Sequence, residues 1–223
     1  MRKQLVALIA GLSLTAAPVL ADPIEPEDWF TAHATGCMLL GECTDAVEPI
    51  WGIDYLVQEY PESNWSSVAE EFSRILNALT LIDVQVYLAD QRYFEVGQRG
   101  IYHTVSNNFY LNRSYMSRPG VLMSVMRHEG WHAAQDCMAG TIDNSMIAII
   151  RPEDDVPMIW REMVERTYPK AAWPWEKEAT WAGKTEGMTM AALEACERGR
   201  MWEVYLPTPM TREWLEQNKY IVK

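Results

Sequence analysis

Residues 121–138, VLMSVMRHEGWHAAQDCM, decide how this chain folds. After Pro119-Gly120 the apolar residues recur every three or four positions, which is the spacing of one helix face. A helix is therefore predicted from about Val121 to about Met138. Its broad apolar side comprises Val121, Leu122, Val125, Met126, Ala133 and Cys137.

Two of the four histidines of the chain lie on this predicted helix, one turn apart. Because residues four positions apart project from the same face, His128 and His132 can direct both imidazoles at one metal ion. Glu129 follows His128 directly, and this HExxH pattern supplies two zinc ligands and a general base within five residues. In the alternative interpretation, both histidines are hydrogen-bonded helix residues and hold no metal.

Gly130 stands inside the predicted helix, where glycine costs roughly 1 kcal/mol relative to alanine. Two explanations stay open for it. A neighbouring backbone could approach the helix closely at this point, or the missing side chain could leave room beside the metal.

A catalytic zinc ion needs a third protein ligand and keeps one position for water. The continuation HEGWHAAQDCMAG lacks the third histidine of HExxHxxGxxH, so this ligand must come from another segment. Glu178, which precedes Ala179 in WEKEATWAGK, is predicted to supply it from a second helix. Small residues at Ala179, Gly183 and Gly187 would let the two helices pack closely. The main rival is Glu176, and further alternatives are Glu162, Glu165 and Glu186.

The two motifs together resemble the gluzincin metallopeptidases, the thermolysin-like branch of the zincins. In that family HExxH on one helix is completed by a glutamate on a later helix, often within an E-A pair. The resemblance implies that His128, His132 and Glu178 bind one Zn²⁺ and that Glu129 is the general base. The chain departs from the family pattern at Ala182, where an acidic partner for a ligating histidine would stand. Another acceptor must then orient that histidine.

The flanking segments predict an α+β fold. Ser67-Val68-Ala69-Glu70 resembles a capping box and opens an amphipathic helix. DVQVYLAD, residues 83–90, alternates like a strand, and RGIYHTV and NFYLN, separated by residues 106–108, are typical of a hairpin. We expect a small, mostly antiparallel sheet packed on helices, zincin-like, in which the HExxH helix faces the glutamate helix. Further helices are predicted over about 156–166 and from Pro174 to Gly199.

The N-terminus predicts export. Arg2 and Lys3 precede an apolar run from Leu5 to Leu14, and Val19-Leu20-Ala21 fits a signal-peptidase site, so residues 1–21 are interpreted as a signal peptide. An uncleaved anchor is the alternative. Residues 22–50 are predicted to form an irregular arm or a pro-segment, and residues 51–223 the metallohydrolase domain. We therefore expect a secreted or periplasmic protein without a stable membrane span after cleavage.

Charge limits the partners. Removal of residues 1–21 leaves 17 basic and 31 acidic residues, a net charge of −14. Such a surface repels phosphate backbones and anionic lipids, which argues against nucleic acid as a partner. The sequence does not indicate an oligomeric state.

The four cysteines indicate disulfides, because an exported chain meets an oxidising compartment. Three pairings are possible. We favour Cys37 with Cys43, across a short loop, and Cys137 with Cys196, between the two motif-bearing helices. No CxxC pair supports a cysteine-rich zinc site.

These patterns predict a zinc-dependent metallopeptidase. Zinc would activate a water molecule, and Glu129 would take its proton. If the strand around Phe109–Leu111 is an edge beside the cleft, an extended peptide substrate could pair with it. Candidate donors to the oxyanion are His103, Tyr102, Tyr110, Tyr168 and Arg151. The alternative is a non-catalytic zinc-binding protein of the cell envelope with a zincin-like fold.

Overall fold

A computed structural model describes residues 24–140 and 147–205 of the chain. Within these residues the fold is α+β, with eight α-helices and a four-stranded sheet. The strands are β1 (Val47–Pro49), β2 (Gln85–Ala89), β3 (Gly100–His103) and β4 (Asn108–Asn112). The helices are α1 (Ala32–Leu39), α2 (Ile53–Glu59), α3 (Ala69–Leu81), α4 (Pro119–Ala139), α5 (Met158–Thr167), α6 (Trp173–Lys184), α7 (Met188–Glu197) and α8 (Met201–Val204).

The sheet is mixed, with the order β1-β2-β4-β3. The predicted hairpin is confirmed, since β3 and β4 are antiparallel with Gly100 opposite Leu111. β2 and β4 are parallel, however, so the sheet is less antiparallel than expected. β4, which contains Phe109–Leu111, is an interior strand because β2 covers its other side. The expectation that β4 forms the edge is therefore wrong, and β3 is the edge strand on that side.

α4 is the central helix and agrees with the prediction to within about two residues. It packs against α6, α7, α3 and β3, and most of its side chains are buried, including the fully buried Trp131. α3 presents Phe72, Ile75 and Leu79 to the same core. The apolar periodicity of both helices thus reflects a shared interior.

Two predicted helix boundaries differ from the structure. The helix expected from Pro174 to Gly199 is divided into α6 and α7, because Gly187 has a positive φ of 78° and the chain turns there. The expected capping box is also absent. α3 begins at Ala69 with Val68 as its N-cap and without a side-chain cap, and the carbonyl of Trp65 accepts the N–H groups of Val68 and Ala69 instead.

Residues 24–50 are more ordered than the expected irregular arm. They contain α1 and β1, and β1 pairs with β2. Both predicted disulfides are present, Cys37–Cys43 within this segment and Cys137–Cys196 between α4 and α7. The predicted signal peptide lies outside the described residues. Among the residues that the structure describes, no helix has the length and apolar character needed to cross a bilayer.

Candidate metal centre

Three potential metal ligands converge at the base of a cleft between α4, α6 and β3. His128 Nε2 lies 3.1 Å from Glu176 Oε2, and His132 Nε2 lies 3.5 Å from Glu176 Oε1. The two imidazole rings are T-shaped, with centroids 4.9 Å apart. Their side chains are 17%, 11% and 17% exposed, in the order His128, His132, Glu176, so the group remains accessible from the cleft.

The geometry of this group fits a divalent ion. Two ligand atoms bound to one tetrahedral zinc at about 2.05 Å lie about 3.3 Å apart. The two nitrogen–oxygen separations in the cluster bracket that value, and all the donor atoms lie within 4.8 Å of one another. Two imidazoles and one carboxylate are also the donor set of a catalytic zinc site with an open position. His128, His132 and Glu176 could therefore hold a metal ion.

The carboxylate of Glu176 and the imidazole of His132 shift the pKa values of each other in opposite directions. Burial opposes the charge on His132, but the carboxylate of Glu176 outweighs it and raises the pKa of His132 to about 9. Burial likewise opposes the charge on Glu176, and the two histidines outweigh it and lower the pKa of Glu176. A metal ion binding here must displace the proton of His132, which makes its affinity depend on pH.

Glu178, the ligand expected from the sequence, does not join this cluster. Residues two positions apart on a helix are rotated by roughly 200°, so Glu176 and Glu178 point in different directions. The carboxylate of Glu178 is fully buried and accepts hydrogen bonds from the backbone N–H groups of Ile150 (3.0 Å) and Arg151 (2.7 Å). Burial raises the pKa of Glu178 to about 7, although these donors oppose the shift. The structure thus places Glu176, the main rival, and not Glu178 next to the two histidines.

Glu178 is nevertheless linked to His132 by hydrogen bonds through one intermediate residue, Gln135. Gln135 Nε2 donates to Glu178 Oε1 over 2.5 Å, which directs the amide oxygen of Gln135 toward His132. His132 Nδ1 lies 2.7 Å from that oxygen and donates its hydrogen to it. Because Nδ1 keeps its hydrogen for this bond, Nε2 is the nitrogen of His132 that would give up its proton to a metal. Gln135 is the acceptor that the sequence analysis required and did not identify.

Glu129, the expected general base, lies beside the cluster under the edge strand. Its Oε2 accepts the backbone N–H of Tyr102 on β3 over 3.0 Å. Burial raises the pKa of Glu129, and the neighbouring histidines oppose this shift. β3 can approach α4 closely because Gly100 of β3 has no side chain. A Cβ there would lie 2.5 Å from Val125 Cγ1 and 3.0 Å from Glu129 Cγ.

Glycines also set the spacing between the helices. A Cβ at Gly183 of α6 would lie 3.0 Å from the carbonyl oxygen of Ser124 and 3.2 Å from His128 Cβ. Gly183 thus acts as the predicted small-residue strip requires and explains how Glu176 reaches the histidines. Gly187, another member of that strip, lies beyond the end of α6, and a Cβ there would meet nothing within 4 Å. A Cβ at Gly130 would instead lie 3.0 Å from Thr189 Cγ2 on α7. Gly130 therefore serves packing against α7, and its neighbour is a side chain rather than the expected backbone.

The cleft above the cluster has a volume of about 570 Å³. Of the five candidate oxyanion donors, only Tyr102 and Tyr168 line it. The hydroxyl of Tyr102 is held by Asn107 and Asp136, whereas Tyr168 lies near Glu176. Burial and the charge of Glu176 raise the pKa of Tyr168, so its hydroxyl stays protonated.

The other three candidates lie elsewhere. Tyr110 stacks on Tyr87 in the small core beneath α1, and the guanidinium of Arg151 lies over Tyr205. His103 Nδ1 is within hydrogen-bonding distance of Ser106 Oγ.

Comparison of this chain with models of protein families, with curated proteins and with solved structures found no match. The residues and their geometry therefore carry the functional argument.

Proposed function

We propose that this protein is an exported zinc-dependent metallopeptidase, of the kind suggested by the likeness to gluzincins. The observation that carries the proposal is the convergence of His128, His132 and Glu176 beside a buried glutamate in an open cleft. Two disulfides are consistent with an oxidising compartment. Zinc is the proposed metal because the donor set matches catalytic zinc sites.

His128, His132 and Glu176 would hold the ion. When bound, zinc supplies an acidified water molecule and polarises a carbonyl group. Glu129 is the residue that would take a proton, because it lines the cleft beside the three ligands and burial raises its pKa above that of an exposed glutamate. The N–H of Tyr102 holds one oxygen of Glu129, Oε2, and leaves Oε1 for this role.

The proposed substrate is a peptide in extended conformation. β3 borders the cleft, and among the described residues its strand partner is β4, on one side. The backbone groups of its other edge, apart from the N–H of Tyr102 that Glu129 accepts, can pair with a peptide. Tyr168 would donate a hydrogen bond to the oxygen that becomes negative during attack. It lines the cleft near Glu176, and its pKa keeps the proton in place.

The decisive experiment separates metal binding from turnover. We expect the purified protein to contain about one zinc per chain and to cleave a mixed peptide library. Glu129→Gln should keep the zinc and lose at least about 100-fold in kcat, because a general base contributes about that much or more. Glu62→Gln, at an exposed position outside the cleft, is the matched control and should retain both properties.

Two results would contradict this proposal. Zinc at full occupancy without cleavage of any library member would favour the non-catalytic zinc-binding protein. Equal rates in Glu129→Gln and the unchanged protein would remove Glu129 from the reaction.

A further inference from the structure

The cleft continues beyond the metal cluster along two facing helix stripes. Ser124 and His128 line it from α4, and Thr180 and Lys184 line it from α6. Lys184 Nζ donates to Ser124 Oγ over 2.8 Å, so these two residues meet at one end of the cleft. Glu176 lies at the other end of the α6 stripe, in the metal cluster.

Helix geometry gives the length of this stripe. Lys184 follows Glu176 by eight residues, which corresponds to about 12 Å along the helix axis. An extended peptide rises about 3.3 Å per residue, so the same span accommodates roughly three to four substrate residues. A substrate held at the metal can therefore reach Lys184 without leaving the cleft.

Arg99 contributes a second cation at the same end. It precedes Gly100, which packs against Val125, the neighbour of Ser124 on α4. Arg99 lines the cleft, and its guanidinium carbon lies 5.5 Å from the ring centroid of Tyr115. Burial and the positive charges of Arg99 and Arg127 lower the pKa of Lys184, so Arg99 is close enough to repel the charge of Lys184.

Neither cation is neutralised within the part of the chain that the structure describes. Most of the described arginines form ion pairs, as Arg127 does with Glu71, yet no described carboxylate lies within 4.0 Å of the charged groups of Arg99 or Lys184. Both residues also line the same cleft, in a chain with 31 acidic and 19 basic residues. The end of the cleft therefore carries two positive charges without a carboxylate in contact, as far as residues 24–140 and 147–205 show.

We infer that Arg99 and Lys184 bind a carboxylate of the substrate and give the protein a preference for peptides that are acidic about three to four residues from the cleaved bond. This inference rests on the proposed peptidase function. The carboxylate can belong to an internal Asp or Glu or to the C-terminus of the peptide. The otherwise acidic surface repels such peptides, so the cationic end also fixes where they bind.

The test begins with a peptide that the zinc-loaded protein cleaves, in which the cleaved bond is located by mass spectrometry. Glu, Gln or Lys is then placed at each position on both sides of that bond, and every peptide is made with a free and with an amidated C-terminus. We expect kcat/KM to favour Glu over Gln by about fivefold at one position, as an exposed ion pair contributes about that factor. High salt should reduce the preference. If kcat/KM depends on a free C-terminus and not on Glu at any position, the carboxylate that binds is the C-terminal one.

The variant Arg99→Met/Lys184→Met should reduce the Glu-to-Gln ratio to near one. Lys170→Met removes another exposed lysine, which does not line the cleft, and should keep the ratio of the unchanged protein. Equal rates for Glu and Gln in the unchanged protein, or an unaltered ratio in the double variant, would overturn the inference and leave the peptidase proposal intact.

Binding is measured separately on the zinc-loaded Glu129→Gln protein, by fluorescence anisotropy of the labelled Glu and Gln peptides. We expect the Gln peptide to bind more weakly than the Glu peptide, and we expect this difference in affinity to disappear when Arg99→Met/Lys184→Met is added to Glu129→Gln. That result supports carboxylate binding by Arg99 and Lys184 even if no peptide is cleaved. That combination would end the peptidase proposal alone. Absence of any carboxylate-dependent binding would overturn the inference directly.

Discussion

The two sides of α6 carry the same chemical group in opposite circumstances. On the cleft side, the charge of His132 and the hydrogen bonds of the two histidines lower the pKa of Glu176 despite its burial. On the interior side, Glu178 is sealed among α4 and residues 150–151, and burial raises its pKa to about 7. Glu176 and Glu178 are two residues apart but lie on different faces of α6. The face on which a carboxylate lies therefore determines whether it can bind a cation or serves as a buried hydrogen-bond acceptor.

The largest effect should come from removing the negative charge of Glu176 on the cleft side of α6, and it should appear in the affinity for zinc. Glu176→Gln removes one of three anionic or imidazole donors, and we expect zinc affinity to fall by about a thousandfold, or about 4 kcal/mol. Competition with a coloured chelator at fixed pH measures it. Glu162→Gln, at an exposed acid on α5 that the sequence also offered as a ligand, is the control and should bind zinc normally. Full zinc binding by Glu176→Gln would remove it from the ligand set.

On the interior side, Glu178→Ala should destabilise the fold. The substitution leaves the N–H groups of Ile150 and Arg151 and the amide of Gln135 without their acceptor, which costs about 3 kcal/mol. Urea unfolding of the metal-free protein measures this loss without the contribution of bound zinc. Glu178→Gln keeps one acceptor oxygen and should lose less. A change below about 0.5 kcal/mol for Glu178→Ala would mean that the buried network contributes little.

The connection between the two sides runs through Gln135. Gln135→Leu removes the acceptor for Nδ1 of His132 and leaves the three proposed ligands themselves unchanged, so we expect zinc affinity to fall by about 10- to 100-fold. A spectrum of the cobalt-substituted protein should change in parallel, because the ring of His132 is no longer fixed. Gln58→Leu, at an exposed position on α2, is the control. Unchanged affinity and spectrum would show that His132 needs no such partner.

Asp136 on α4 is a further buried carboxyl, and its effect is the smallest when it is measured over a single pH unit. Tyr102 Oη lies 2.7 Å from Asp136 Oδ2 and also hydrogen-bonds to Asn107, and burial raises the pKa of Asp136 to about 7 despite the bond from Tyr102. A carboxyl whose folded pKa exceeds its unfolded value of about 4 holds more protons in the folded state, so stability decreases as pH rises between these values. We expect Asp136 to contribute a loss of about 1 kcal/mol per pH unit in this window.

Asp136→Asn does not titrate and should flatten that part of the pH profile. Urea unfolding of the metal-free protein at several pH values between 4 and 8 gives the difference between the two proteins. Parallel profiles would contradict a raised pKa at Asp136.

The features predicted correctly are those that depend on neighbours in sequence. The periodicity of α4 is set within one helix, and the hairpin of β3 and β4 is closed by a short turn. The parallel pairing of β2 with β4 joins strands that are separated by β3, and no local pattern encodes it. The Cys137–Cys196 pair was predicted because both residues lie on helices already expected to be adjacent.

The sequence favoured Glu178, whereas the structure places Glu176 beside the histidines, because the direction in which each carboxylate points depends on tertiary structure. Glu176 and Glu178 have equal helix propensity, and the rotation of α6 is fixed by contacts such as Gly183 against Ser124 and by residues 150–151, which satisfy Glu178. One signal could have pointed to Gln135. It lies three residues after His132, and hence beside it on the helix, in a segment whose neighbours are mostly apolar or small.

The disulfide between Cys137 and Cys196 encloses all of α6 in a covalent ring. In an oxidised but unfolded chain, the path from His132 to Glu176 across this bridge is shorter than the path along the backbone. The carboxylate therefore has a raised effective concentration near the two histidines even when the helices have melted. If the disulfide forms first, a shorter loop has to close to bring Glu176 next to the two histidines.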